Sequence, residues 1–229
     1  MRTISGEMFE SDFVIQTPFR MIISGSSGTG KTTFVEKLIT SDRIDRKFAK
    51  IYYVYPFELG DPPVSWHGKT ESNVEYLTEL PDARFFDTAE KYSLVVLDDL
   101  WTETCKNPDL VKAFKIFSRK KNISMIAITQ SYFSGGDTGR EIRNNWYVQK
   151  QIILTDFSNL VTIFNNHGDR NLNRRILERL GYKEYYDKLK QDFIVGYHYV
   201  LLNLSASVPI SQRVATNLFH EKLPYVEFY

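Results

Sequence analysis

The sequence predicts an α/β domain with a mainly parallel sheet flanked by helices. Three observations predict it. Short apolar runs recur along the chain, stretches with helical apolar spacing lie between them, and each run closes on a glycine, a proline or a polar residue.

Taken in order, residues 1–17 form an irregular lead-in that ends at Pro18. Phe19–Gly25 is apolar and closed by glycine, as a buried strand requires. A Gly/Ser/Thr turn follows, and Phe34, Val35, Leu38 and Ile39 then fall on one face of a helix. Lys50–Pro56 is a second strand stopped by proline. Residues 57–90 are rich in Pro, Gly and Asp, with one short helix or strand expected near Val74–Leu77. Ser93–Leu100 is the clearest buried strand, ending in Asp98 and Asp99. Asp109–Lys120 has helical spacing through Leu110, Val111, Phe114 and Phe117. Ile123–Gln130 is a strand ending in a polar residue, and Trp146–Leu154 reads as another. A helical hairpin is expected at about 170–180 and 183–190, with Gly181 as a C-terminal cap. Gly196–Leu204 reads as the last strand, before a tail containing Arg213. The organisation is thus a lead-in over 1–17, a core over 18–165, and a helical hairpin, final strand and tail over 166–229 packed on the same domain.

Composition narrows the function. With 229 residues, 42% hydrophobic and 25% charged, the chain has the makeup of one globular domain. Lys+Arg 29 against Asp+Glu 28 leaves a net charge of +1, so any nucleic-acid contact is local rather than a whole basic face. The single Cys105 excludes an internal disulfide framework and fits a reducing compartment. No apolar run reaches the roughly 18 residues of a membrane span, and the N-terminus is too acidic for a signal peptide. The expectation is an intracellular protein with no membrane partner. His67, His167, His198 and His220 are scattered without ligand spacing.

Gly25-Ser26-Ser27-Gly28-Thr29-Gly30-Lys31-Thr32 matches GxxxxGK[ST] at every position, after an expected strand and before an expected helix. This is a P-loop. Its glycines let successive N–H groups turn inward on phosphate oxygens, over the positive end of a helix that continues with Thr33. Lys31 reaches the β- and γ-phosphates of ATP, and the Thr32 hydroxyl is a Mg²⁺ ligand. Such a site needs a second acidic group at the end of a neighbouring strand. Asp98 is placed for the metal and Asp99 to polarise the attacking water. Gln130, ending the next strand, reads as a sensor touching the γ-phosphate and that water. Arg119 is a candidate transition-state arginine for a neighbouring subunit, equally readable as a basic helix end; Arg140 and Arg143 are further candidates. The Gly-rich stretch Ser134–Arg140 reads as a mobile loop. Tyr52, Tyr53 and Tyr55 read as strand residues.

Together, GSSGTGKT, a strand ending in LDD, a helix ending in a basic step at Arg119, ISMIAITQ and a downstream IRNN resemble the DNA-packaging ATPases of the FtsK/HerA superfamily, found in poxviruses, other large DNA viruses, virophages and Polinton-like elements. The resemblance spans about residues 18–165, and Pro18 and Arg20 fit the usual approach to the phosphate loop. It implies a RecA-like core with additional strands and a homo-oligomeric ring hydrolysing ATP at subunit junctions. It also implies double-stranded DNA as the translocated partner and a capsid protein at a vertex as the receiver, within an infected host cell, in its cytoplasm or nucleus or with the virion. The family often has Arg-His where this chain has Arg119-Lys120, and Glu where it has Asp99.

Two other readings share the P-loop. A small-molecule or nucleoside kinase would need an arginine lid, for which 170–179 holds the only arginine cluster. A replication-type helicase or assembly ATPase would use nucleotide to order an oligomer or to move on single strands.

Overall fold

A computed structural model describes residues 14–62, 66, 70, 72–114, 121–133, 136–138, 158–164, 171–186, 199–205, 208, 213–216, 218–219 and 227–228. Its strands are β1 (Phe19–Ser24), β2 (Lys50–Val54), β3 (Asn73–Leu77), β4 (Leu94–Asp98), β5 (Ser124–Thr129), β6 (Ser158–Phe164), β7 (Tyr199–Asn203), β8 (Val214–Thr216) and β9 (Glu227–Phe228). The helices are α1 (Lys31–Thr40), α2 (Ala83–Thr88), α3 (Trp101–Lys106), α4 (Pro108–Lys112) and α5 (Leu172–Leu180). All nine strands lie in one sheet, in the order β3-β2-β4-β5-β1-β6-β7-β8-β9. From β3 to β6 every pair is parallel, and from β6 to β9 every pair is antiparallel. The expected α/β class with a mainly parallel sheet is present, and β5 is the additional strand between the phosphate-loop strand β1 and the acidic strand β4.

Period-two alternation sorts the strand residues onto two cores. Met21, Ile23, Ile51, Tyr53, Leu94, Val96, Ile126 and Ile128 face α1, which contributes Phe34, Val35, Leu38 and Ile39. Ile22, Tyr52, Val54, Val95, Leu97, Met125, Ala127, Val161 and Ile163 face the other layer, where α2–α5 supply Phe86, Trp101, Leu110 and Ile176. Both faces are covered, which is why the strands read as continuous apolar runs. Each buried Leu, Ile or Phe contributes roughly 1.5–3 kcal/mol of transfer free energy.

Several expectations change. The strand expected at 146–154 lies outside the described residues; residues 158–164, not expected as a strand, pair parallel with β1 on the side away from β5. Thr162 breaks that apolar run in sequence, yet it is buried like its neighbours. Residues 57–90 hold a 3-10 turn at Phe57–Leu59, β3 and α2. An unexpected α3 follows Leu100, and the helix expected from 109 begins at Pro108, where the Asn107 side chain accepts from the N–H of Asp109 (2.9 Å) and Leu110 (3.1 Å). Residues 115–120 lie outside the description. Gly181 caps α5 at φ 84°, as expected; of the second helix expected over 183–190, Lys183–Tyr185 is a 3-10 turn and residues 187–190 lie outside the described residues. The strand expected to be last is antiparallel, and β8 and β9 follow it.

Candidate active site

The loop between β1 and α1 is held by its own backbone. The Gly25 N–H donates to the Thr129 carbonyl at 3.2 Å, tying the loop to β5. A Cβ at Gly25 would sit 2.5 Å from Cβ of Phe164 on β6, so only glycine allows the two strands to approach here. Gly30, at φ 90°, turns the chain left-handed into α1. That helix has no side-chain cap and no acidic residue in its first turn, so the positive end of its dipole is left for a ligand. Thr29 is buried and its hydroxyl donates to the Ser26 carbonyl at 2.8 Å.

Lys31 is buried at the start of α1. Its ammonium donates to the carbonyls of Gly25 (2.8 Å) and Ser26 (2.7 Å). Burial lowers its pKa, and the nearby charges of Asp99 and Asp98 oppose that shift.

Asp98 ends β4, and the hydroxyl of Tyr53 on neighbouring β2 donates to its Oδ2 in a short hydrogen bond. Burial raises the Asp98 pKa; the Tyr53 hydrogen bond opposes this, Asp99 adds to it and Lys31 opposes it. Burial, followed by the charge of Asp98, pushes the Tyr53 phenol far above its ordinary range. Asp99 adopts φ 55°, a left-handed conformation that Asp tolerates better than most residues, and its N–H donates to the Ile128 carbonyl at 3.1 Å. This turn sets its carboxylate against β5, where Gln130 Nε2 donates to Asp99 Oδ2 at 2.7 Å.

These groups line one cavity of about 750 Å³ at the C-terminal ends of the parallel strands, the usual place for ligands of such sheets. Of the residues expected in the site, Ser27, Gly28, Gly30, Lys31, Thr32, Thr33, Asp98, Asp99 and Gln130 line it. Gly25, Ser26 and Thr29 sit behind them and hold the loop and the lysine. Arg119, Arg140 and Arg143 lie outside the described residues, as does most of the loop 134–140. Arg20 is buried in β1 and donates to the Phe114 carbonyl, joining the sheet to the chain beyond α4, and it does not line the cavity.

Residue patterns alone missed two features. One is the partnership of Tyr53 with Asp98: the tyrosines were readable only as strand residues, and the structure places Ile51, Tyr53 and Tyr55 on one face. The other is an aromatic wall of Phe34, Phe164, Tyr199 and Phe219, assembled from four distant segments.

The donors offered to a cation are the Thr32 hydroxyl and the carboxylates of Asp98 and Asp99, all hard oxygens. Among the described residues no group of three or more His, Cys, Asp and Glu forms an all-protein cage. This set fits Mg²⁺, which takes one or two carboxylates and completes its shell with phosphate and water. Among the described residues no helix is long and apolar enough to cross a membrane.

Residues 7–61, which include the phosphate loop, match the family model described as Poxvirus A32 protein. Among solved structures, the chain is similar to the genome packaging NTPase B204 from Sulfolobus turreted icosahedral virus 2 in complex with ATP-gammaS, at 13% identity over 90% of this chain and 96% of that one (TM-score 0.51). The same protein in complex with sulfate matches at 13% identity over 86% and 94% (TM-score 0.52). B204, the DNA-packaging ATPase from Sulfolobus turreted icosahedral virus, matches at 13% identity over 86% and 95% (TM-score 0.51). A search of curated proteins finds no match. The resemblance to viral packaging ATPases is thus met by a local sequence match and by a shared fold over most of the chain.

Proposed function

We propose that this chain is an ATPase that translocates double-stranded DNA to package a viral or virus-like genome. The observation that carries the reading is the convergence in one cavity of the phosphate loop, Lys31, the Asp98–Asp99 pair and Gln130. The poxvirus family match and the fold shared with B204 support the packaging role.

The loop N–H groups and the α1 N-terminus bind the phosphates, and Lys31 exchanges the Gly25 and Ser26 carbonyls for phosphate oxygens. Thr32 and Asp98 would hold Mg²⁺, which would supply positive charge against the phosphates. Tyr53 fixes the rotamer of Asp98. Gln130 orients the attacking water and Asp99 accepts its proton, the two being joined by a hydrogen bond. The ring of identical subunits, an arginine supplied across its junctions by Arg119, Arg140 or Arg143, and docking on a capsid vertex belong to the same proposal.

The kinase alternative is disfavoured. Arg174, Arg175 and Arg179 lie on α5, packed against the sheet face opposite α1, and none lines the cavity.

Phosphate release from ATP by the purified protein, with and without duplex DNA, tests the reading. Hydrolysis should rise several-fold with duplex and fall by at least about a hundredfold in Asp99→Asn. A wild type that transfers phosphate to a small acceptor, or an Asp99→Asn variant at full rate, overturns it.

A further inference from the structure

The arginines of α5 take no part in the cavity, yet α5 carries them against its own stability. Leu172, Ile176, Leu177 and Leu180 are buried in the core, while Arg174, Arg175, Glu178 and Arg179 are exposed together on an arc of about 140°. Asn171 at the N-cap makes no side-chain cap, and the first turn holds no acidic residue. Arg174 and Arg175 therefore stand near the positive end of the helix dipole, where a cation is unfavourable. Arg175 and Arg179, four positions apart, add a like-charge pair about 6 Å apart along the axis. The anion of the face, Glu178, is bound to Lys183 of the following turn at 3.1 Å. Among the described side chains, Arg174, Arg175, Arg179 and Lys183 thus stand against Glu178 alone, a charge of +3 in a chain whose total is +1.

Such a face is completed by a polyanion. The guanidinium is a planar fork that pairs bidentately with phosphate oxygens and keeps its charge at any working pH. Three of them on one helix face suit a duplex backbone, which presents a negative charge every ~1.7 Å of its axis. A net charge of +1 leaves no whole basic face, so a duplex has to be held by a local row of this kind.

The row also sits beside the chain that leaves β5. Gln130 donates to Asp99 in the cavity at 2.7 Å. Just beyond it, Tyr132 is buried in the same core as Ile176 and Leu177. The Arg175 guanidinium lies over the ring of the next residue, Phe133, 5.7 Å from its centroid. A short run of backbone therefore joins the cavity to the arginines.

We propose that the exposed face of α5 is a binding surface for duplex DNA, with Arg174, Arg175 and Arg179 contacting backbone phosphates without reading sequence. This rests on the packaging reading above. It gives that reading a DNA surface outside the nucleotide cavity, with a short path between the two.

Fluorescence anisotropy of a labelled duplex with the full chain, across a salt series, tests it, with ATP hydrolysis measured alongside. The double variant Arg174→Gln/Arg179→Gln should weaken duplex binding by about tenfold or more and lower the salt slope by about 2. Its hydrolysis without DNA should stay at the wild-type rate. The double lysine variant at the same positions keeps the charge and should bind within about threefold of wild type. Glu178→Gln should tighten binding by about threefold, a gain that a damaged fold cannot produce. Wild-type affinity and slope in a folded glutamine variant overturn the proposal, as does a Glu178→Gln that binds no tighter. Equal losses in the lysine and glutamine variants mean a structural role and overturn it too. Binding through these arginines to phosphatidylserine vesicles but not to duplex makes α5 a membrane-surface helix instead. A wild type that hydrolyses ATP but binds no duplex at any salt removes the packaging reading as well, whereas a failed variant series removes this surface alone.

Discussion

At the scale of single residues, Asp98 carries its negative charge in a partly buried place. Burial raises its pKa in the folded protein, so the folded state holds the proton more tightly than the unfolded chain does. The associated stability is present below the ordinary carboxylate pKa and is lost as pH rises through the folded value. Above the folded value the ionised group is therefore a net cost, which a bound cation would offset. Asp98→Asn, an uncharged mimic that still accepts from Tyr53, should stabilise the ligand-free protein by about 1 kcal/mol at neutral pH while abolishing hydrolysis. Thermal denaturation across pH checks this; the gain should shrink toward acid, where wild-type Asp98 is itself neutral, and a loss of stability would refute it. Lys31, Thr32, Asp98, Asp99 and Gln130 were all legible as site candidates because the P-loop pattern and strand-ending acids name their residue types. Tyr53 was not, because nothing in KIYYV says which ring the register sets beside an aspartate.

At the scale of elements, helix ends divide into structural and ligand-facing kinds. Asp82 caps α2, its Oδ1 accepting from the Phe85 N–H at 2.8 Å, and Asn107 does the same for α4. By contrast α1 has no such cap, and its free N-terminus opens on the cavity. Asp82→Ala should therefore cost about 1 kcal/mol in denaturant unfolding and leave nucleotide affinity unchanged. A shift in affinity would show that α2 communicates with the site. Gly181 was predictable as a cap because the αL position at a helix end selects glycine. The strand at 158–164 was not, because a buried threonine interrupts its run and its partner β1 is more than a hundred residues away. Likewise α3 is only Trp101–Lys106, too short for helical spacing to repeat across the roughly 11–18 residues over which it is read.

At the scale of the whole molecule, binding to the folded state alone must raise global stability, since the cavity draws on the phosphate loop, α1, β4, β5, β6 and β7 together. Nucleotide at a hundredfold excess over its Kd should add about 2.7 kcal/mol, or roughly 5–10 °C in Tm. A thermal shift assay reads this directly, and no shift at millimolar nucleotide would argue against an intact site. The amino-acid sequence by itself determined the α/β class, the phosphate loop, the acidic strand end and the polar residue that closes the next strand. Those depend on local periodicity and on residue types at fixed spacing. Only the tertiary structure decided that β5 lies between β1 and β4, that Asp99 turns left-handed onto Gln130, that Tyr53 holds Asp98, and that Phe34, Phe164, Tyr199 and Phe219 meet. Strand order and register join segments far apart in the chain, and the packing that selects them has no local signature.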